Sequence, residues 1–158
     1  MKSIKNSGRL ALALLAGLSG WAVQADDHGP RVPLLPRYQQ ECAACHIAYP
    51  PGMLPAASWQ RIMGGLDRHF GSDASLDEAS VREIAGWLQA HAGSSRRMRQ
   101  APPQDRITQS TWFVREHREE LPPDVWQRKS VGSPANCAAC HTRAEQGSFR
   151  EREIRIPR

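Results

Sequence analysis

The sequence predicts a mainly α-helical protein composed of two small halves, and three observations support this prediction. Residues 56–66 and 75–93, in the first half, repeat apolar side chains at offsets of three and four, as an amphipathic helix does. Residues 111–120 form a third helical segment, which Pro122-Pro123 ends. Each half also contains one copy of the same short Cys-His motif, and a polar, arginine-rich stretch separates the halves.

The first 25 residues predict a cleaved export signal. Basic residues precede an apolar run over residues 10–23, and Val23-Gln24-Ala25 ends in the small-residue pattern of a signal-peptidase site. The run has about 14 residues, fewer than the roughly 20 that a membrane-spanning helix needs. We therefore expect export to the periplasm and removal of residues 1–25.

The charge of the chain gives no indication of nucleic-acid binding. The 158 residues include 21 Lys and Arg against 16 Asp and Glu. Three of the basic residues lie in the export signal, so the mature chain has 18 basic against 16 acidic residues, a net charge of +2. No basic stripe with interleaved aromatic side chains is present, so the sequence does not predict a nucleic-acid surface.

In the first half, two helices are expected. Trp59, Ile62, Met63 and Leu66 share one face of a helix over 56–66, which Gly64-Gly65 weakens. For the second helix, Ser75 with Glu78 forms a capping box and Gly93 supplies the stop. Its apolar face, which we expect to pack on a bound cofactor, consists of Val81, Ile84, Ala85 and Leu88.

The remaining elements are shorter. Residues 94–106, with four arginines and Pro102-Pro103, have the composition of a solvated linker. In the second half, a helix over 111–120 is followed by a short turn that Ser133 opens as N-cap, with Pro134 at the first helical position. The alternation over 149–157 is weak and favours an extended tail.

All four cysteines fall in two copies of one motif, Cys-Ala-Ala-Cys-His, at residues 42–46 and 137–141. Two thiols three positions apart lie along one helical turn, where they can bond to the two vinyl groups on one side of a haem. The adjacent histidine then reaches over the porphyrin face to the iron. The motifs therefore predict two covalently bound haem c groups, attached at Cys42, Cys45, Cys137 and Cys140, with His46 and His141 as proximal iron ligands.

This interpretation divides the chain into an export signal (1–25), a first haem domain (26–95), a basic linker (96–106) and a second haem domain (107–158). Other roles for the cysteines are weaker. Two disulfides give no reason for a histidine after each pair. A thioredoxin-like site requires one pair in a β-α-β context, and a zinc site requires other histidine spacings.

The sixth ligand of each iron decides the function, because a strong donor suits electron transfer and a vacant position suits gas or peroxide binding. We predict His69 and His117 for this role. His69 lies where the chain leaves one predicted helix before the next, and His117 follows Phe113 by four residues, so its ring projects near the apolar side. Which of the two serves which haem is open at this point.

Other donors are less well placed. His91 ends a helix, His28 lies near the mature N-terminus, Met63 fits a helix core, and Met98 lies among arginines. Met53 is the best methionine candidate.

Two further roles concern the haem surroundings. The Pro50-Pro51 turn is a candidate acceptor for the second ring proton of His46, and candidate partners for the haem propionates are Arg61, Arg68, Arg115 and Arg143.

Three segments resemble the dihaem cytochrome c family known as DHC. They read CAACHIAYPPGMLPAASWQRIMGGLDRHFG over 42–71, ITQSTWFVREHRE from Ile107 and NCAACH from Asn136. The resemblance implies an N-terminal half like a class I cytochrome c and a C-terminal half with little regular structure. It implies a periplasmic electron carrier with two low-spin bis-histidine haems. It also implies a redox partner, a small oxygen-binding monohaem cytochrome c, and in some members a membrane cytochrome b as electron source.

We therefore expect a monomeric electron-transfer protein and not an enzyme, since no catalytic constellation is present. The alternative is a haem enzyme, a peroxidase or an O2- or NO-reactive protein, with one open coordination site. Glu116, beside His117, is the one acid considered for such chemistry, and a solvated helix face explains it better. A third class is a haem subunit docked in a larger complex.

Overall fold

The computed structural model describes residues 32–158, and within this range the chain is mainly α-helical, as predicted. The predicted export signal and His28 lie outside the described residues. The regular structure of residues 32–158 contains no strand, and two isolated bridges pair His69 with Ser72 and His141 with Ile154. The four α-helices are α1 (Pro36–Cys42), α2 (Ala56–Met63), α3 (Glu78–Ala90) and α4 (Thr111–Glu120). No helix of the described range is long and apolar enough to cross a bilayer.

The core of the first half lies among α1, α2 and α3. Leu54, Ile84 and Leu88 are almost fully buried in it, together with Trp59, whose indole N–H donates to the Pro51 carbonyl at 2.7 Å. Burial of each side chain of this size stabilises the folded chain by about 1.5–3 kcal/mol. The apolar face of α3, expected to pack on a cofactor, therefore lies in the protein core against α1 and α2.

The start of α3 differs from the prediction. Asp77, not Ser75, is the N-cap, and its carboxylate accepts hydrogen bonds from the backbone N–H groups of Ala79 and Ser80. The backbone N–H of Ser75 donates to the side chain of Asp73. An aspartate at the junction competes well with serine as a cap because its charge also interacts favourably with the helix dipole.

The C-terminal ends of α2 and α3 are also earlier than predicted. α2 ends at Met63, directly before Gly64-Gly65, and a 3-10 turn then covers Leu66–Arg68. α3 ends at Ala90, so Gly93 does not stop the helix. Gly93 instead allows a close approach, since its N–H donates to the Leu54 carbonyl at 2.8 Å and a Cβ there would lie 2.5 Å from the Gly52 carbonyl oxygen.

The linker is solvated over only part of its length. Residues 96–101 are mostly exposed, but Pro102 is buried. Both carboxylate oxygens of Asp105 accept hydrogen bonds from the Arg61 guanidinium of α2, at 2.6 and 2.9 Å. Gln104 and Asp105 both have left-handed backbone conformations, with φ of 54° and 56°. This two-pronged ion pair holds the end of the linker against the first half.

The second half has one α-helix, and its bounds agree with the prediction. The Ser110 hydroxyl caps α4 by accepting from the Phe113 N–H at 3.2 Å. No α-helix forms at the second Cys-His motif: the Ser133 hydroxyl accepts from the Ala135 N–H, and Cys137–Ala139 is a single 3-10 turn. The short turn predicted at Ser133 is present, since the Asn136 N–H also donates to the Ser133 carbonyl at 3.1 Å, and it leads into the motif.

The tail is extended in part. A 3-10 turn at Glu151–Glu153 interrupts it. On either side of the His141–Ile154 bridge, the Arg155 N–H donates to the Cys140 carbonyl at 2.8 Å and the Thr142 N–H donates to the Glu153 carbonyl at 3.4 Å. The tail therefore closes over the second motif.

Two glycines give a matched test of the packing in the first half. We expect Gly93→Ala to lower the free energy of unfolding by about 1–3 kcal/mol, because the new methyl group would overlap the Gly52 carbonyl and Met98 Cβ. Gly86 lies inside α3, with no atom within 4 Å of an added Cβ. Gly86→Ala should therefore raise the free energy of unfolding by about 0.5–1 kcal/mol. Equal effects in denaturant unfolding would contradict the packing described here.

The ion pair between Arg61 and Asp105 predicts a pH dependence. The Arg61 guanidinium lowers the pKa of the Asp105 carboxyl. The pair therefore stabilises the folded chain above the ordinary aspartate pKa, and this stabilisation is lost as the pH falls through the lowered value. Asp105→Asn should be less stable than the parent protein at neutral pH and approach it in acid, as measured by denaturant unfolding. Asp67→Asn, in an exposed pair with Arg68, is the control and should change little at either pH.

Candidate haem sites

The first motif follows directly from the end of α1. Cys42 is the last residue of that helix, and the chain then turns through Cys45 to His46. Cys42 is half-buried, and burial, with a smaller contribution from Glu41, raises the pKa of its thiol to about 11. All four cysteines of the two motifs are free thiols in the structure, as bonding to a haem requires, and none is paired in a disulfide.

The structure brings His46 and His69 together. Their ring centres are 6.1 Å apart, and the ring planes differ by 26°. With each imidazole nitrogen about 2 Å from a metal and the ring centre about 1 Å beyond, two rings on opposite sides of one metal have centres about 6 Å apart. The spacing of this pair therefore fits one iron between the rings.

The second pair consists of His117 and His141. Their ring centres are 6.2 Å apart, with an interplanar angle of 67°. This distance also fits one iron between the rings. The two ring planes, however, are much closer to perpendicular than those of the first pair. Each motif histidine thus faces one of the two predicted sixth ligands: His46 faces His69 and His141 faces His117.

Hydrogen bonds at the second ring nitrogen orient two of the four histidines. His46 Nδ1 donates to the Ile47 carbonyl at 2.6 Å, and His117 Nδ1 donates to the Phe113 carbonyl at 2.9 Å. With the proton held at Nδ1, Nε2 keeps its lone pair for a metal. The acceptor for His46 is thus the Ile47 carbonyl and not the Pro50-Pro51 turn that we predicted.

The other two histidines are less anchored. Nδ1 of His141 is buried and has no hydrogen-bond partner in the part of the chain that the structure describes. The pKa values of His69 and His141 are both lowered, mainly by burial and further by the facing histidine. Both rings are therefore neutral at pH 7, which is the form that binds a metal.

Aromatic rings surround the second histidine pair. His117 stacks on Phe113, with ring centres 3.9 Å apart, and Trp126 lies 5.8 Å from the same imidazole. Phe149 packs 5.1 Å from His141. An open cleft of about 350 Å³ borders His117 and extends to Pro134, three residues before Cys137, and mostly apolar side chains line it. Such a lining suits a hydrophobic macrocycle.

The other predicted donors occupy different positions. The His91 ring packs at a tilt of 42° against Trp87, and its Nδ1 donates to the Trp87 carbonyl at 2.8 Å. Met63 is buried in the core, as predicted, and Met98 packs against Gly93. The four candidate arginines for the propionates all have carboxylate partners within the chain: Arg61 with Asp105, Arg68 with Asp67, Arg115 with Glu116 and Arg143 with Glu153.

Tyr49 is a residue whose position the sequence analysis missed. Its ring stacks on His46, with centres 4.9 Å apart and planes 26° apart, and its hydroxyl donates to the Ala135 carbonyl at 3.3 Å. Burial, followed by the nearby Cys137 thiol, raises the pKa of Tyr49 to about 12. The only signal in the sequence was its place three residues after His46. The aromatic contacts of Trp126 and Phe149 were likewise not predicted.

Comparison with known proteins agrees with these features. A model of the dihaem cytochrome c family matches residues 38–149. A crystal structure of DHC purified from Rhodobacter sphaeroides is 46% identical, covering 75% of this chain and 99% of that one, with a TM-score of 0.64. A diheme cytochrome c structure, also from Rhodobacter sphaeroides, is 43% identical, covering 76% and 100%, with a TM-score of 0.67.

A diheme cytochrome c from Shewanella baltica OS155 is 37% identical, covering 80% of this chain and 95% of that one, with a TM-score of 0.68. None of the curated proteins matches this chain. The family match covers both motifs and both facing histidines, and the free thiols and ring spacings described above fit the cofactor. The chain belongs to the dihaem cytochrome c family, whose members carry electrons, and it binds two haem c groups covalently.

Proposed function

We propose that this protein is a periplasmic electron carrier in which both irons are closed by two histidines. His46 and His69 would hold the first iron, and His117 and His141 the second. The attachment residues are Cys42 and Cys45 at the first site and Cys137 and Cys140 at the second. One observation carries the proposal: each motif histidine faces a second imidazole at about the distance that one shared metal requires.

Each bound haem supplies a one-electron couple between ferric and ferrous iron. The residues of the chain then have to hold that iron without rearrangement. The carbonyls of Ile47 and Phe113 fix the tautomers of His46 and His117. At the second site, Phe113 and Trp126 also restrict the rotation of the His117 ring. Such fixed imidazoles suit an electron carrier, because its iron changes oxidation state while its ligands stay the same.

The enzyme alternative would require a vacant axial position and an acid or base near it. At both sites a second imidazole lies about 6 Å from the motif histidine, so in the proposed arrangement it would occupy the position that a gas or peroxide ligand needs. Glu116, the acid considered above, is exposed and paired with Arg115 at 2.6 Å, and this ion pair lowers the pKa of its carboxyl. Glu116 is therefore ionised at neutral pH, and Arg115 holds its carboxylate on the surface of α4.

The proposed partner is a small oxygen-binding monohaem cytochrome c, with a membrane cytochrome b as a donor. This proposal rests on the resemblance over residues 42–71 and 107–119 and on the export signal. The small net charge of the mature chain gives little long-range attraction, so docking would depend on local patches. The exposed arginines of the linker, Arg96, Arg97 and Arg99, form one such patch.

Replacement of the sixth ligands tests the assignment. His69→Ala and His117→Ala should each leave one of the two irons open, so each variant should bind carbon monoxide at about half of its haem. Carbon monoxide difference spectra of the reduced protein measure this. His91→Ala is the control and should bind none, since His91 contacts Trp87. A variant at residue 69 or 117 that stays closed removes that residue from the ligand set.

Low-temperature EPR of the oxidised protein tests the closed-carrier proposal separately. Two irons with two imidazoles each should give only low-spin ferric signals. The two signals should differ, because the ring planes are 26° apart at one site and 67° apart at the other. A high-spin signal equal to one iron per chain would favour the enzyme alternative and overturn the carrier proposal.

A further inference from the structure

Tyr49 contacts the first haem site and the segment that leads into the second motif. Its ring stacks on His46, with centres 4.9 Å apart, so it packs on the proximal ligand proposed for the first iron. Its hydroxyl donates to the carbonyl of Ala135. Ala135 lies two residues before Cys137, the first residue of the second motif. This hydrogen bond joins residues that are 86 positions apart in the chain.

The first half holds Tyr49 firmly. The Tyr49 carbonyl accepts a hydrogen bond at 2.9 Å from the hydroxyl of Tyr38, which is buried in the core beside α3. On the other side, the second motif is fixed near its contact with Tyr49, since the Asn136 side chain donates to the Val131 carbonyl at 3.0 Å. The Tyr49 hydroxyl therefore links two well-anchored segments.

We propose that Tyr49 is a positioning residue that sets the separation of the two haem sites and so the rate of electron transfer between them. This inference rests on the proposed pair of sites. Electron transfer between fixed centres falls steeply with distance, so a small change in separation has a large effect on rate. At 3.3 Å the hydroxyl bond is long. Its loss should therefore change the free energy of unfolding little, so an effect of Tyr49→Phe on the rate would report the position of the second motif and not the stability of the fold.

Two substitutions separate the two contacts of Tyr49. Tyr49→Phe keeps the ring on His46 and removes the link to Ala135, and Tyr49→Leu removes both. The control is Gly93→Ala, which disturbs the packing of the first half at Gly52 and Met98 and leaves both contacts of Tyr49 in place. Gly93→Ala should be less stable than Tyr49→Phe, because the added methyl group would overlap the Gly52 carbonyl.

Two measurements on the haem-loaded protein decide the outcome. Pulsed EPR gives the distance between the two ferric irons, and flash photoreduction gives the rate of electron transfer between them. For Tyr49→Phe we expect a longer or broader distance distribution and a rate several-fold lower, with the low-spin signals of both sites unchanged. For Tyr49→Leu we expect in addition a shifted low-spin signal at the first site, because His46 loses its stacked ring.

Each remaining outcome overturns the proposal. If Tyr49→Phe has the distance and rate of the parent protein, the hydroxyl does not position the second motif. If Gly93→Ala changes the rate as much as Tyr49→Phe does, the effect is one of general core stability. A high-spin signal in the parent protein would contradict the two-histidine sites themselves, so failure of the proposed function is distinguishable from failure of the role of Tyr49.

Discussion

The proposed placement of one iron between two imidazole rings is the constraint on which the rest of this small protein depends. Rings on opposite sides of one iron must lie about 6 Å apart, and the chain meets this requirement at both sites. It does so in different ways. At the first site, turns that flank a three-helix core carry both histidines. At the second, one histidine lies on α4 among aromatic side chains, and the other lies in a loop that the tail covers.

The two halves therefore differ in what stabilises them. The first half buries a core of aromatic and aliphatic side chains among its helices. The second half has one α-helix and several 3-10 turns, and its buried apolar residues are fewer and smaller: Phe113, Val125, Val131, Cys140 and Ala144. Small domains with little core rely on added cross-links, and the two cysteines of the second motif supply them through the haem.

Local signals in the sequence were sufficient for some features and not for others. The bounds of α4 were predicted because Pro122-Pro123 stops a helix whatever surrounds it. The start of α3 was misplaced because serine and aspartate are both good caps, and Asp77 lies closer to the helix. No local signal could predict that Tyr49 reaches Ala135 or that Asp105 binds Arg61, since such contacts depend on how distant segments pack.

The closure of the tail over the second motif has a consequence for the order of assembly. All residues of the first site lie between positions 42 and 69, whereas the second site draws on residues from 113 to 155. An exported chain emerges from the membrane N-terminus first, so the first site is complete while most of the second has still to follow. Nascent chains cut short before Ile154 would retain an intact first centre but lack the strand-like partner of His141.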